Sequence, residues 1–234
     1  MVRFGPYKWQ LSRLEFIAIC LLIVDIIAVP FFSLGIVRQM IDLMNLRSEY
    51  ASLPEPDEIG LSAFDTEMRG INPDYICWIT IGGTEVDYPV VRGADNEKYL
   101  HTSFYGEENV YGALFMDYRC VGDDVPHIII YGHNSRHGDM FGGLRHFLDA
   151  LYLAQHPVII LVVNERVVEY EIFSARKTDI TDPAYFLDFS APGSFRAFAE
   201  RNGAPPDAAQ ILTLSTCVSG DNKDEMVVIK AALR

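Results

Sequence analysis

The chain has 234 residues, half of them hydrophobic, and its 32 acidic against 19 basic side chains leave a net charge of −13. That length suits one sizeable core with a small appendage rather than two full domains. A surface this acidic repels phosphate backbones, and neither an Arg/Lys stripe interleaved with aromatics nor a glycine-rich phosphate loop occurs, which argues against a nucleic-acid or nucleotide partner.

From Phe16 to Val37 runs a nearly continuous apolar stretch, interrupted by Asp25 and Pro30. About 20 apolar residues suffice for a helix to cross a bilayer. Arg3, Lys8 and Arg13 precede the stretch while Asp42 and Glu49 follow Arg38, so the cationic flank stays inside and the rest is sent outside. A cleaved signal peptide would have a shorter apolar core and a small-x-small site, and Ser33-Leu34-Gly35 is a poor one. Asp25 costs about 2.5–3.5 kcal/mol at mid-bilayer, which the surrounding Ile, Leu, Val and Phe offset. The expected organisation is a cytoplasmic tail over 1–13, a single-pass transmembrane signal anchor over 14–37, a helical extension over 38–70 and a folded domain over 71–234. Within the extension, Val37, Met40, Ile41 and Met44 keep helical spacing, Pro54 and Pro56 break it, and a second helical piece covers Leu61–Met68.

Beyond residue 70 the pattern becomes β-like. Strand-length apolar runs occur at Ile76–Ile81, Val86–Val91, Ala113–Met116, His127–Tyr131, Val158–Val163, Val167–Ala175, Ile211–Leu214 and Met226–Ala231. Gly82-Gly83 reads as a turn and Asn164-Glu165 as a two-residue hairpin connection. Two helices interrupt, over Met140–Gln155 and over Ser194–Arg201 after Pro192-Gly193. Eight short strands with few helices predict a mainly β fold, a closed eight-stranded barrel.

Two strand ends carry chemistry. Ile211-Leu212 leads into Thr213-Leu214-Ser215-Thr216-Cys217, and Ile128-Ile129-Ile130 leads into Tyr131-Gly132-His133-Asn134. A cysteine needs a nearby base or cation to become a nucleophile near neutral pH, and histidine is the usual supplier. His133 and His137 also stand four apart with Asp139 and His146 beyond, but the glycine- and serine-containing segment between them is a loop, and Arg136 between ligands is unwelcome, so no metal is expected.

The segment Thr213–Cys217 resembles the cysteine signature of class B sortases, and Tyr131-Gly132-His133-Asn134 resembles their histidine segment. Asn72-Pro73-Asp74-Tyr75-Ile76 with Trp78-Ile79, Asp87-Tyr88-Pro89-Val90-Val91, Asp95-Asn96 with Tyr99-Leu100, and Phe115-Met116-Asp117-Tyr118-Arg119 are similar to family segments in the same order. The resemblance spans roughly residues 71 to 234. It implies a sortase β-barrel with N-terminal helices packed against it and a transpeptidase that uses no cofactor. Cys217 would attack the scissile carbonyl of a C-terminal sorting signal on a secreted protein and form a thioester. An amine from a cell-wall precursor or a pilin lysine would resolve it. His133 would protonate the leaving amine and deprotonate the incoming one. Asn96, Leu100, Thr181, Tyr185 and Phe186 fall where the family lines its substrate groove. Ser215 and Thr216, flanking the nucleophile, would hold substrate or its oxyanion.

The resemblance also implies departures. Family members carry an arginine at the start of the last strand, before a Val-Val pair. Here Glu225 is read at that position, with Lys223 in the preceding loop as the substitute cation. Two further readings follow: a pilin polymerase of the same class, and a weakly active or inactive sorting-signal binding protein. Cys77 and Cys120 stand where the family pattern has a glycine and an asparagine. With Cys217 they make an odd number outside the anchor, which leaves open a Cys77–Cys120 disulfide or two unrelated buried thiols.

Overall fold

The computed structural model describes residues 34–54, 60–122, 124–217 and 225–234, together with Leu22 and Pro56. The chain divides into two units, 1–44 and 45–234. In the first unit the backbone is helical over 34–44. Apart from Leu22 and residues 34–37, the apolar run expected to form an anchor lies outside the described residues. Among the described residues no helix is long and apolar enough to cross a membrane.

The second unit opens with helical residues 45–51, followed by a helix over Leu61–Ile71. That helix buries Phe64 and Met68, four residues apart on one face. Arg69 pairs with Asp65 one turn back at 2.8 Å. The helix stops at Asn72, whose extended backbone precedes Pro73, a residue with no amide to continue the ladder. Asn72 then accepts from the Asp74 amide and donates to the Phe104 carbonyl, fixing the approach to the barrel. Phe64 packs edge-on to Trp78, ring centroids 5.6 Å apart, so the helix covers the outer face of the first strand.

Eight strands close a barrel: β1 Tyr75–Ile81, β2 Asp87–Val91, β3 Leu114–Met116, β4 His127–Tyr131, β5 Val158–Val163, β6 Arg166–Asp179, β7 Ile211–Cys217 and β8 Glu225–Leu233. Their order around the barrel is β1-β2-β3-β4-β7-β8-β6-β5. The pairs β2–β3 and β4–β7 are parallel, the others antiparallel. Alternation sorts the two faces. Ile79, Leu161, Ile172, Ile229, Leu212, Leu214 and Ile130 share the inner face and are buried. β5 and β6 are joined through Asn164 and Glu165, both at positive φ (47° and 62°), the geometry of a type I′ hairpin.

The expected helix over Met140–Gln155 is not one element. Met140 has φ 52° and bridges back to Asn134. A 3-10 turn follows over Gly142–Leu148, and a separate helix begins at Ala150. Asp149 divides them: its extended backbone breaks the run, and its carboxylate caps the Leu151 and Tyr152 amides. Of the two readings left open for Cys77 and Cys120, the structure has the unrelated buried thiols: both are free and buried. Cys120 turns its thiol onto the His127 carbonyl at 3.6 Å, while Cys77 lies on the inner face beside Val90 and Val163.

Candidate active site

The parallel β4–β7 pair assembles the site. Its register runs from His127↔Ile211 to Tyr131↔Ser215 and continues one residue past β4, where the Gly132 amide donates to the Ser215 carbonyl at 3.2 Å. His133 stands two residues beyond Tyr131 and Cys217 two beyond Ser215, so the two lie at the same offset from the last rung of the parallel pair. Only glycine fits at position 132: a Cβ there would lie 2.4 Å from Leu114 and 2.8 Å from Phe141. His133 itself is held by its carbonyl, which accepts from the Phe141 amide at 3.0 Å. Its imidazole is half-buried, and burial first, then the neighbouring His101, lowers its pKa.

Thr213 and Ser215 share the outer face of β7, and the connection between β6 and β7 covers them. The Tyr185 hydroxyl bonds to the Ser215 hydroxyl at 2.9 Å, and the Tyr185 ring stacks on Tyr131, centroids 6.3 Å apart and 15° from parallel. Deeper along the strand, Thr213 bonds to Nε2 of His127 at 2.8 Å. Nδ1 of His127 reaches the Phe186 carbonyl at 2.8 Å, so Nδ1 carries the proton and Thr213 donates to Nε2. Burial holds His127 neutral, with its pKa pushed down to about 4. Asp182 fixes the start of the connection. It accepts a bidentate pair from Arg176 at 2.7 and 2.6 Å, the Ala184 amide at 2.7 Å and the Thr178 hydroxyl. Those bonds, Arg176 foremost, keep its carboxyl well below the usual range.

The residues expected to line a groove fall into two groups. Tyr185 and Ser215 meet directly, and Phe186 is partly exposed beside them. Thr181 is exposed and folds its amide and hydroxyl back onto Asp179. Leu100 is half-buried at the end of a 3-10 turn, Lys98–Leu100. Asn96 is occupied at both ends of its amide: Nδ2 donates to Asp117 at 3.0 Å, and Oδ1 accepts from the Tyr118 amide at 3.0 Å. Thr216 has the opposite parity from Ser215. It belongs to the inner face, 2% exposed, and its hydroxyl has no partner among the described residues. Lys223 lies outside the described residues.

The sequence reading missed the network behind Tyr131. Its hydroxyl donates to the fully buried Asp117 at 3.1 Å, which also receives Arg119 at 2.9 and 2.8 Å. Burial alone would raise the Asp117 pKa, but Arg119 and Asn96 hold it below the ordinary carboxylate value. The signal lay in Asp117-Tyr118-Arg119, an acid and a base two apart beside a β-strand. The register also places the residues at the start of the last strand. The Cα partner of Cys217 is Met226, whereas Glu225 pairs with Asp179 and its carboxylate meets Lys177 at 3.5 Å. Among the described residues no three His, Cys, Asp or Glu side chains gather into a metal-holding group.

A protein-family model, the sortase domain, matches residues 79–234. The chain belongs to the sortase family. Sortases are cysteine transpeptidases, and the relatives of this one are sortase B enzymes. Sortase B of Listeria monocytogenes is 32% identical over 163 residues, 64% of this chain and 65% of that protein, so the match spans just under two thirds of the relative's length. Sortase B of Staphylococcus aureus is 29% identical over 227 residues, 89% of this chain and 91% of that one. Among solved structures, sortase B of B. anthracis in complex with AAEK1 superposes with a TM-score of 0.72 at 28% identity, covering 83% of this chain and 98% of that one. A mutant form of Clostridium perfringens sortase B gives 0.69 at 28%, covering 74% of this chain and 87% of that one. Acyl transfer of the kind sortases perform needs a nucleophile and a proton donor–acceptor.

Proposed function

We propose that the protein is a membrane-anchored transpeptidase that cleaves a C-terminal sorting signal on secreted proteins and transfers them to a cell-wall amine. Cys217 is the nucleophile and attacks the scissile carbonyl. The C–N bond breaks as His133 protonates the leaving amine. The same imidazole takes a proton from the incoming amine as it displaces the thiol. The observation that supports this reading is the parallel β4–β7 pairing, which ends at Tyr131↔Ser215 with Gly132 bonded to Ser215, and beyond which His133 and Cys217 stand at the same offset. Tyr185, Phe186, Leu100 and Ser215 form the substrate groove, while Asn96 acts by fastening Asp117 and the Tyr118 amide beneath it. The apolar run of residues 14–37 anchors the chain with its N-terminus inside and the barrel outside.

The test is a trapped intermediate. Incubating the protein with sorting peptides should give a thioester adduct on Cys217, detected by mass spectrometry and released by hydroxylamine. Cys217→Ala should lose the adduct and at least 99% of turnover. His133→Ala should lose turnover to a similar extent. Adduct formation on another residue would overturn the assignment. A second reading, a weakly active sorting-signal binder, draws on Glu225, the acidic residue read at the family's arginine position, whose carboxylate meets Lys177 at 3.5 Å. Peptide binding without any adduct would favour it. Joining of pilin subunits through a lysine amine, instead of attachment to the wall, would show in the acceptor recovered from the adduct.

A further inference from the structure

His101 ends the turn Lys98–Leu100, and its ring centroid lies 6.3 Å from that of His133, with the rings tilted by 60°. The segment that carries it is fixed, since the His101 carbonyl accepts from the Asn109 amide at 2.9 Å. The ring is exposed, whereas the His133 ring is half-buried. Other ionisable groups around His133 come from three directions. β7, the parallel neighbour of β4, ends at Cys217. The loop after it carries Arg136, His137 and Asp139, and the Asp139 carboxylate is taken up by Arg47 at 2.8 Å and by Ser135. From β4 comes Tyr131, whose hydroxyl is committed to Asp117. His101 is thus an exposed imidazole set beside the half-buried one.

We propose that His101 is a positioning residue that acts on the reaction through His133, its charge opposing a second proton on the neighbouring ring. This rests on the reading of His133 as the acid–base group. At 6 Å, two cations across a partly solvated gap repel enough to change a proton affinity severalfold. When His101 is charged, His133 is a stronger acid and gives its proton to a leaving amine more readily. When His101 is neutral, His133 holds its proton more tightly. The burial that lowers the His133 pKa acts in the same direction as His101.

The experiment follows the ring protons of both histidines by NMR against pH in the full chain in detergent, for wild type, His101→Asn and His101→Lys. His101→Asn should raise the proton affinity of His133 three- to tenfold and leave it a single-step titration. His101→Lys, a fixed charge, should hold the affinity at or below the wild-type value. Superimposable His133 titrations in all three proteins would overturn the proposal. The pH dependence of kcat/KM is measured alongside. The acid limb should move in the same sense as the NMR midpoint, with the plateau for His101→Asn within twofold of wild type. If the midpoint moves and the limb does not, His101 has no part in the reaction and His133 loses its acid–base role. If sorting peptides are not processed at all, the function reading fails while the NMR result still decides the coupling.

Discussion

At the scale of single residues, the rung that pairs with Cys217, the proposed nucleophile, carries no charge. Met226 pairs with Cys217, and an apolar thioether gives neither charge nor a hydrogen bond to a developing oxyanion. Met226→Arg would put a guanidinium on that rung. Its expected effect is a rise of at least tenfold in kcat/KM for a cognate peptide, about 1.4 kcal/mol of transition-state stabilisation. Glu225→Arg sits on the other face and should change kcat/KM less than twofold; the reverse ranking of the two variants would refute the register argument. The sequence alone did not reveal this, because a slip of one residue in a strand moves every side chain to the opposite face. Thr216 illustrates the same rule, as it flanks Cys217 in sequence yet belongs to the barrel interior. Two other thiols give a second check. Burial pushes Cys77 up to about 12 and Cys120 up to about 11. Both are therefore protonated and inert at neutral pH. Brief treatment of the native protein with iodoacetamide, followed by peptide mapping, should modify Cys217 and leave Cys77 and Cys120 untouched.

At the scale of elements, the β6–β7 connection forms one wall of the candidate groove, and buried polar bonds hold it there. His127 ties its Phe186 carbonyl to the start of β4, and Lys230, itself 1% exposed, donates to Asn202 at the end of the helix Ser194–Arg201. The pH sign follows from His127. Its pKa of about 4 in the folded protein lies below the 6.5 of a free imidazole, so the unfolded chain binds more protons between those values. Stability from this site is complete above about pH 6.5 and falls as pH drops toward 4, by on the order of 3 kcal/mol. Urea midpoints measured from pH 7.5 to 4 should show that decline in wild type. His127→Gln keeps a hydrogen-bonding side chain without the titration and should show a shallower one; equal slopes would remove His127 as the cause. This wall was only partly legible in the sequence. The strands were visible because alternating burial leaves a period-2 pattern, and Asn164-Glu165 announced its hairpin. The 140–155 segment was misread because Phe141, Leu144, Phe147, Leu148 and Leu151 keep helical spacing, while the cap at Asp149 and the adjacent Gly142-Gly143 decide the local backbone instead. His127 was read only as a strand residue, because nothing in the linear pattern shows that a chain segment 59 residues away will cover it.

At the scale of the whole molecule, the barrel depends on what precedes it. The family-model match starts at residue 79, yet the compact second unit starts at Asn45. Residues 45–71 contribute Leu46, Phe64 and Met68, all completely buried, and Tyr50, whose ring meets Tyr88 edge-on at 4.9 Å. Arg47 adds a two-bond contact to Asp139 on the loop that follows His133. Each large apolar side chain taken out of water is worth about 1.5–3 kcal/mol. Losing four of them removes an amount comparable to the 5–15 kcal/mol by which whole domains are stable. A fragment of residues 45–234 should therefore unfold cooperatively in urea and retain turnover on sorting peptides. A fragment of residues 72–234, which keeps every strand together with Cys217 and His133, should be unfolded or molten, with Trp78 exposed to solvent quenchers. In the longer fragment, Arg47→Ala leaves all apolar contacts in place and removes only the tether to Asp139. Because the carboxylate that loses its partner is buried, the loop carrying it should loosen, lowering turnover more than the urea midpoint. Native-like stability of the 72–234 fragment would show that the barrel closes without its helical cover, and the dependence argued from Phe64 and Met68 would be wrong.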